Sequence, residues 1–254
     1  MSVLLDVAGV TMHFGGVHAL TDVSFQVMTG EFLCLIGPNG AGKTTLLKAI
    51  TGMVSPQRAR ISLAGRKIST LPTHKRMRLG LALTHQIVRP FHTMSILDNV
   101  ALAAGYRRTR RVLTALAATG RTAERSRARH YLELVGIGEQ ADQPATGQPL
   151  GILKRLEVAR ALALEPTLLL LDEPLAGLNH IEAARLADTV AKINAEGLTV
   201  VMIEHNLGEV MRVSQRLVVL DNGRKIADGD PQAVMHTPGV RAAYVGKEAE
   251  DAAA

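Results

Sequence analysis

Short runs of apolar residues alternate along the chain with amphipathic stretches and turn residues. Three runs, residues 32–36, 168–171 and 198–203, are apolar at nearly every position. Strands that are covered on both faces of a parallel sheet have this character. Helical periodicity appears between such runs, for instance over residues 182–195, and it ends at Gly197. This order of strands and helices predicts an α/β fold with a mostly parallel sheet.

Two other regions differ from that pattern. Residues 3–10 and 23–27 alternate between apolar and polar positions, and the turn-forming pair Gly15 and Gly16 lies between them. They predict a small, largely antiparallel sheet at the N-terminus. Residues 95–136 instead carry apolar side chains at helical spacing. This segment predicts an α-helical subdomain that is inserted into the α/β core.

The sequence GPNGAGKTT lies between the first apolar run and a helix-forming stretch. Its glycines let the backbone turn sharply and bring N–H groups close to phosphate oxygens, at which the following helix points its positive end. We expect Lys43 to reach the β- and γ-phosphates and the Thr44 hydroxyl to bind Mg²⁺. Glycine-rich turns are common, but the complete motif between a strand and a helix favours a nucleoside triphosphate. The predicted nucleotide contacts are Gly37, Pro38, Asn39, Gly40, Ala41, Gly42, Lys43, Thr44 and Thr45.

Two adjacent carboxylates, Asp172 and Glu173, follow the second apolar run. Because the carboxyl ends of parallel strands meet at one edge of a sheet, we expect these side chains close to the phosphate-binding loop. Asp172 would then hold Mg²⁺, and Glu173 would act as the base toward the attacking water. An isolated Asp-Glu-Pro sequence is typical of a helix or turn start. After a phosphate-binding loop and four leucines it predicts a nucleotide hydrolase.

Three further residues are weaker candidates on local grounds. His205 follows the third apolar run and is expected at the same edge of the sheet, although a histidine by itself is more often an ordinary surface residue. Gln86 follows a predicted strand, but a glutamine in a loop generally indicates only solvent exposure. Phe14 lies beside the glycine pair and can either stack on a purine or anchor a small core.

Composition narrows the function classes. The 254 residues are 47% hydrophobic and include one cysteine, Cys34, so neither a disulfide framework nor a cysteine metal cluster is expected. No apolar run approaches the roughly 20 residues that a membrane-spanning helix needs. The N-terminal residues lack the order of a signal peptide, and we therefore expect a protein of the cytosol.

The net charge of +6 has its densest source in the arginines of residues 107–129. A basic surface can bind nucleic acid or an anionic membrane. This segment lacks the aromatic residues on which bases stack, and a solvated helical face explains its charge at least as well. We expect no nucleic-acid partner.

Five motifs, taken in order, resemble the ATP-binding subunit of ATP-binding cassette (ABC) transporters over essentially the whole chain. They are GPNGAGKTT, Gln86, LLLLDEP, the AGLN sequence that ends at Asn179, and His205. The stretches RPFHTMSILDNV, EPLAGLN and VMIEHNLGEVM are most similar to the branched-chain amino acid importer subfamily. The resemblance implies a P-loop ATPase core with an antiparallel β subdomain and an inserted helical subdomain.

The resemblance also implies roles for single residues. Phe14 takes the adenine-stacking position, and Gln86 connects the active site with a membrane partner. His205 faces the γ-phosphate, and Asn179 belongs to a loop that crosses to a second ATPase subunit. The implied catalytic residues are Glu173, His205, Lys43 and Gln86, and the implied Mg²⁺ ligands are Thr44, Gln86 and Asp172.

By the same resemblance, the chain is a single ABC ATPase domain over residues 1–254. Residues 1–85 would hold the antiparallel subdomain and the P-loop core, residues 86–164 the helical subdomain, and residues 165–254 the remaining core with a C-terminal hairpin and helix. The expected partners are integral-membrane permease subunits, a second ATPase subunit and a periplasmic or extracellular solute-binding protein. The expected location is the cytoplasmic face of the inner membrane.

One motif departs from the family. The family signature, Leu-Ser-x-Gly-Gln, falls on residues 148–152, where Pro149 replaces the serine and only Gly151 is kept. In the family, that serine and glycine meet the γ-phosphate bound to the opposite subunit. We therefore expect this chain to pair with a second, different ATPase subunit whose signature is intact.

Two other function classes fit less well. Soluble cassette ATPases that act on nucleic acid or ribosomes usually carry two cassettes in tandem or a long coiled-coil insertion, and this sequence has neither. A guanine-nucleotide switch would carry an Asn-Lys-x-Asp sequence, which is also missing. A motor subunit does not touch the transported solute, so branched-chain amino acids are expected from resemblance alone.

Overall fold

The computed structural model describes residues 2–106 and 122–251, with side chains up to residue 244. Residues 107–121 of the predicted helical segment, with most of its arginines, lie outside the described residues, as does the tail 252–254. The strands are β1 (Val3–Phe14), β2 (Val17–Met28), β3 (Phe32–Ile36), β4 (Arg58–Leu63), β5 (Arg66–Lys67), β6 (Leu81–Thr84), β7 (Leu168–Asp172), β8 (Thr199–Ile203), β9 (Arg216–Asp221) and β10 (Arg224–Gly229).

Helices connect most of these strands. They are α1 (Lys43–Thr51), α2 (Thr73–Arg78), α3 (Ile96–Ala104), α4 (Thr122–Leu134), α5 (Leu150–Leu162), α6 (His180–Ala195), α7 (Leu207–Val213), α8 (Pro231–Met235) and α9 (Pro238–Asp251), with a 3₁₀ turn at Gly138–Gln140. Among the described residues, none of the helices combines the length and the apolar character needed to cross a membrane.

Two sheets organise the chain. The larger has six strands in the order β10-β9-β3-β8-β7-β6, which are parallel from β9 to β6, with β10 antiparallel at one edge. The smaller is antiparallel, in the order β2-β1-β4-β5. With α3, α4 and α5 packed together beside the core, this arrangement confirms the predicted fold class. The boundaries at residues 85 and 164 stay predictions.

The larger sheet separates two hydrophobic cores. Strands β3, β7 and β8 are buried at every position because both faces of the sheet are covered. One core joins this sheet to α1 and to the smaller sheet, with Leu33 and Leu46 among its fully buried residues. The other lies on the opposite face and includes Leu156 of α5 and Leu186 of α6. The ends of the central strands are thereby fixed at a common edge.

The first two strands are longer than the sequence pattern predicts. β1 continues to Phe14 and β2 begins at Val17. The strand register shifts around Gly9 (φ 63°) and Asp22 (φ 52°), and such irregular pairing interrupts the alternation of apolar and polar positions. Phe14 therefore lies at the end of a strand.

Helix α6 begins two residues before its predicted start. Asn179 accepts a hydrogen bond from the N–H of Glu182, and the Glu182 carboxylate accepts one from the N–H of Asn179. This reciprocal capping box stabilises the first turn. The Asn-x-x-Glu spacing that produces it is visible in the sequence, and the earlier start follows from it.

The described part of the arginine-rich segment is paired with acidic side chains. On α4, the ion pairs are Arg125 with Asp98 at 2.7 Å, Arg127 with Glu165 at 3.4 Å, and Arg129 with Asp142 at 3.5 Å. These pairs neutralise local charge, which agrees with a solvated helical face.

Candidate functional site

The phosphate-binding loop runs from the end of β3 to the start of α1. Gly37 has φ 145° and Gly42 has φ 97°. A Cβ atom would lie 2.0 Å from the carbonyl oxygen of Leu220 at the first position and 2.5 Å from that of Ala19 at the second. Glycine is therefore required at both positions. The loop borders a cavity of about 240 Å³, which is lined by residues 17–19, residues 39–45 and Glu173.

The side chain of Lys43 is folded over this loop. It is only 6% exposed, and its Nζ donates to the carbonyl oxygens of Gly37 at 2.7 Å and Pro38 at 2.9 Å. The ammonium thus lies within the glycine-rich loop, where charge-assisted hydrogen bonds to phosphate oxygens can form.

Asp172 and Thr44 meet at the edge of the sheet. The Thr44 hydroxyl donates to Asp172 Oδ1 at 3.2 Å, which joins the end of β7 to the first turn of α1. Burial raises the pKa of Asp172, and the hydrogen bond from Thr44 opposes that rise. A hydroxyl and a carboxylate oxygen are ligands that suit Mg²⁺, which usually completes its shell with water and substrate phosphates. Among the described residues, no group of three or more His, Cys, Asp or Glu could hold a metal by itself.

Glu173 follows β7 and lies on the wall of the cavity. Its backbone has φ 49°, an uncommon left-handed conformation for a residue with a side chain. Its Oε2 accepts a hydrogen bond of 2.6 Å from Nε2 of Gln86, which follows β6. The structure therefore brings together two side chains that are 87 positions apart in the sequence.

The ends of β3 and β8 place His205 at the same edge. Ile203 pairs with Leu35, and His205 follows Ile203 by two residues, as Gly37 follows Leu35. The His205 side chain is 59% exposed, whereas that of Glu204 is fully buried. Glu204 accepts the N–H groups of Leu175 and His205, and burial raises its pKa. It thereby fixes the backbone of both strand ends.

Phe14 is not among the residues that line the cavity, but it pairs with one of them in the smaller sheet. Its side chain is 52% exposed, and its strand partner Val17, which is 68% exposed, is a lining residue. An exposed ring beside the phosphate-binding cavity is accessible to a nucleotide base.

The altered signature packs against the loop before α6. Pro149 is the N-cap of α5 and provides no side-chain hydrogen bond to that helix. A Cβ on Gly151 would lie 2.9 Å from Glu182 Oε1, and one on Gly177 would lie 2.8 Å from Leu150 Cδ2. Within the described residues, neither Pro149 nor Gly151 lines the phosphate-binding cavity.

A family model described as ABC transporter matches residues 20–176. The chain belongs to the ABC transporter family. The chain is an ATP-binding cassette that hydrolyses ATP.

Curated ABC proteins match nearly the full chain. The high-affinity branched-chain amino acid transport ATP-binding protein BraF of Pseudomonas aeruginosa is 39% identical over 96% of this chain and 98% of its own length. LivG of Escherichia coli, with the same description, is 35% identical over the same shares. Among solved structures, a nucleotide-free ATP-binding cassette of an ABC transporter has a TM-score of 0.83 at 27% identity, covering 95% of this chain and 98% of its own. A cassette in its ADP conformation has a TM-score of 0.84 at 27% identity, covering 97% of this chain and 100% of its own.

Sequence reasoning missed two buried charged residues of this cassette, Glu204 and Lys154. Lys154 is 4% exposed and donates to the carbonyl oxygens of Gln86 and Glu173. Burial lowers its pKa, and nearby carboxylates, Glu204 first among them, oppose that shift. A signal existed: Lys154 shares the buried stripe of α5 with Gly151 and Val158, positions at which a helix normally carries apolar residues.

A second cavity, of about 490 Å³, lies between helices α3 and α5 and the end of β6, close to Gln86. Phe91 lines it and is 46% exposed, and the Arg160 guanidinium lies 5.1 Å from its ring centre. Arg160 also donates to the carbonyl oxygen of Arg89 at 2.9 Å. With Ile87 68% exposed nearby, apolar surface here faces solvent. We call this cavity the subdomain groove.

Proposed function

We propose that this ABC ATPase hydrolyses Mg-ATP to power the import of branched-chain or related amino acids through separate permease subunits. One observation carries the proposal: Thr44 meets Asp172, and Gln86 meets Glu173, at the phosphate-binding loop. Full-length identity to BraF and LivG supports the solute class, since those proteins are described as branched-chain amino acid transport proteins.

The site residues divide the work of hydrolysis. Lys43 and the N–H groups of the phosphate-binding loop hold the β- and γ-phosphates. Thr44 and Asp172, with Gln86, would hold Mg²⁺, which would supply positive charge against the phosphate oxygens. Glu173 accepts the proton of the attacking water while Gln86 keeps its carboxylate in place. His205 donates to the γ-phosphate, and Phe14 stacks on the adenine.

The cassette acts as one half of a pair. The segment with Pro149 and Gly151 would face the nucleotide of a second ATPase subunit, and the loop that ends at Asn179 would contact that subunit as well. The pair would work at the cytoplasmic face of the inner membrane, held there by its permease. A periplasmic or extracellular solute-binding protein would deliver the amino acid. The transport systems to which the relatives' descriptions refer support these partners.

The subdomain groove is proposed to receive a cytoplasmic segment of the permease. Exposed apolar side chains in a concave site are suited to an amphipathic helix. Phe91→Glu places a charge on this surface. We expect the permease subunits that copurify with a tagged wild-type chain to be lost with this variant, while ATP binding is retained. Copurification from solubilised membranes, followed by identification of the bound proteins, measures this.

Met53→Glu is the matched control. Met53 is 42% exposed and lies just after α1, away from the groove. This variant should still copurify with the permease. Equal copurification of the Phe91→Glu variant would exclude the groove as the docking surface. Recovery of the wild-type chain with polysomes or DNA, and not with membrane proteins, would instead support a soluble cassette ATPase that acts on nucleic acid or ribosomes.

A further inference from the structure

Lys154 is a cation in the interior of the helical subdomain. Its Nζ lies 2.9 Å from the carbonyl oxygen of Gln86 and 3.0 Å from that of Glu173. Burying a charged group is costly unless hydrogen bonds compensate for the lost water. Because both partners are backbone oxygens, the ammonium holds main chain, and it does so at two points.

Those two points are the ends of neighbouring strands. Gln86 follows β6 and Glu173 follows β7, and the two strands pair through Thr84 and Leu171. The side chains of the same two residues, Gln86 and Glu173, are joined by a hydrogen bond of 2.6 Å. We call the pair of hydrogen bonds from Lys154 to their carbonyl oxygens the lysine clamp. One ammonium therefore fixes the distance between the two segments whose side chains must meet.

Glu173 needs such support. Its left-handed backbone (φ 49°) is disfavoured for a residue with a Cβ and persists only where neighbours hold it. Its N–H donates to the carbonyl oxygen of Ile203 at 3.1 Å, and its own carbonyl oxygen accepts from the N–H of Ala176 at 3.3 Å and from Lys154 Nζ at 3.0 Å. These three bonds hold the peptide groups on either side of the Glu173 Cα, and the bond from Lys154 is the one that a charged side chain supplies.

The helix that carries Lys154 connects the lysine clamp to two distant surfaces. α5 begins directly after Pro149 in the altered signature, and Arg160 on the same helix lines the subdomain groove. A helix moves largely as a unit. A displacement of α5 at either surface therefore reaches the Gln86 and Glu173 backbones through Lys154.

We propose that Lys154 is a positioning residue for ATP hydrolysis: it aligns the Glu173 carboxylate with Gln86 and makes that alignment depend on the position of α5. The inference rests on the proposed role of Glu173 as the base. A misplacement of about 1 Å in an active site can cost about 10²-fold in rate. Among the described residues, both hydrogen bonds of Lys154 go to residues outside the phosphate-binding loop, so we expect nucleotide binding to depend little on it.

The test compares Lys154→Met, Lys154→Arg and Arg155→Met in the transporter purified through a tag on this chain. Arg155 is the matched control because it is the next residue of α5 and also donates to a backbone carbonyl, that of Val135 at 2.6 Å, outside the active site. We expect Lys154→Met to lower kcat by about 10–100-fold with the ATP dissociation constant changed less than about threefold. Lys154→Arg, which keeps a charged donor, should recover most of the rate, and Arg155→Met should keep it.

A second comparison separates positioning from general damage. In a Glu173→Gln background there is no carboxylate left to align, so Lys154→Met should lower the residual turnover less than twofold. A full additional loss there, or a loss of ATP affinity that matches the loss of kcat, would show a merely structural lysine and overturn the proposal. So would an unchanged kcat. If the Lys154→Met variant does not fold, kcat and ATP affinity are measured for Lys154→Gln instead, with the same expected results. If Glu173→Gln alone leaves turnover intact, it is the proposed catalytic role of Glu173 that fails.

Discussion

Glu173→Gln is expected to lower steady-state ATP turnover by about 10²–10⁴-fold, the range for loss of a general base, and to leave ATP binding intact. The substitution is nearly isosteric, and its amide oxygen can still accept the hydrogen bond from Gln86. What disappears is the carboxylate to which we assign the acceptance of a proton from the attacking water. The binding residues of the phosphate loop are untouched. Hydrolysis at saturating Mg-ATP, with nucleotide affinity measured separately, checks both parts of the expectation.

Glu165→Gln is a matched control for this change. Glu165 has φ 51°, close to the 49° of Glu173, and precedes β7 where Glu173 follows it. Both variants remove a carboxylate at a left-handed position beside the same strand, but only one lies at the phosphate-binding cavity. The Glu165 variant should retain wild-type turnover. Equal hydrolysis by the Glu173 variant and the wild type would remove Glu173 from the mechanism.

Pro149→Ser is expected to strengthen the ATP-driven dimerisation of this chain with a second copy of itself. We call this dimerisation closure, because the two subunits close over the bound ATP. Proline offers neither a hydroxyl nor an N–H to a facing phosphate, and loss of one charge-assisted hydrogen bond costs about 1.5–3 kcal/mol. Since about 1.4 kcal/mol is a factor of ten, closure is weakened by roughly 10–100-fold at each such site. A homodimer carries this loss twice. A pair with a partner whose signature is intact carries it once, and we therefore propose asymmetric pairing.

Closure and hydrolysis are to be measured for the chain alone, as wild type and as Pro149→Ser, and for the wild type with the candidate partner. Both the serine and the partner should increase them. Pro72→Ser is the control, because Pro72 is likewise an N-cap without a side-chain hydrogen bond, on α2. If Pro72→Ser leaves closure unchanged, the gain with Pro149→Ser comes from contact with phosphate and not from better capping of a helix. Robust closure and turnover by the wild-type chain alone, improved by neither serine nor partner, would show that asymmetry is unnecessary.

The fold class was predictable because its signals are local. The buried strands are uninterrupted apolar runs, and the phosphate-binding loop turns at glycines whose positive φ values other residues rarely adopt. Strand length was less predictable. Beyond Val10 the irregular pairing near Gly9 and Asp22 hides the alternation on which strand prediction depends.

The edge of the sheet could be anticipated from topology, but contacts between side chains could not. Parallel strand order places Asp172, Glu173 and His205 at one edge, whereas the contact of Gln86 with Glu173 requires the loop after β6 to turn toward β7. Lys154 was missed for a different reason. A lysine on a helix is normally solvated, so its helical spacing from Gly151 and Val158 was a weak signal, and the packing of α5 against the strand ends shows that this lysine points inward.

ATP-dependent uptake of labelled leucine tests the central claim most directly. The complex that copurifies with this chain is reconstituted into liposomes with its solute-binding protein outside and Mg-ATP inside. Leucine should accumulate with the wild-type chain, without accumulation when ATP is omitted or when the chain carries Glu173→Gln. A reconstituted complex that hydrolyses ATP yet moves neither leucine, isoleucine nor valine would contradict the proposed function.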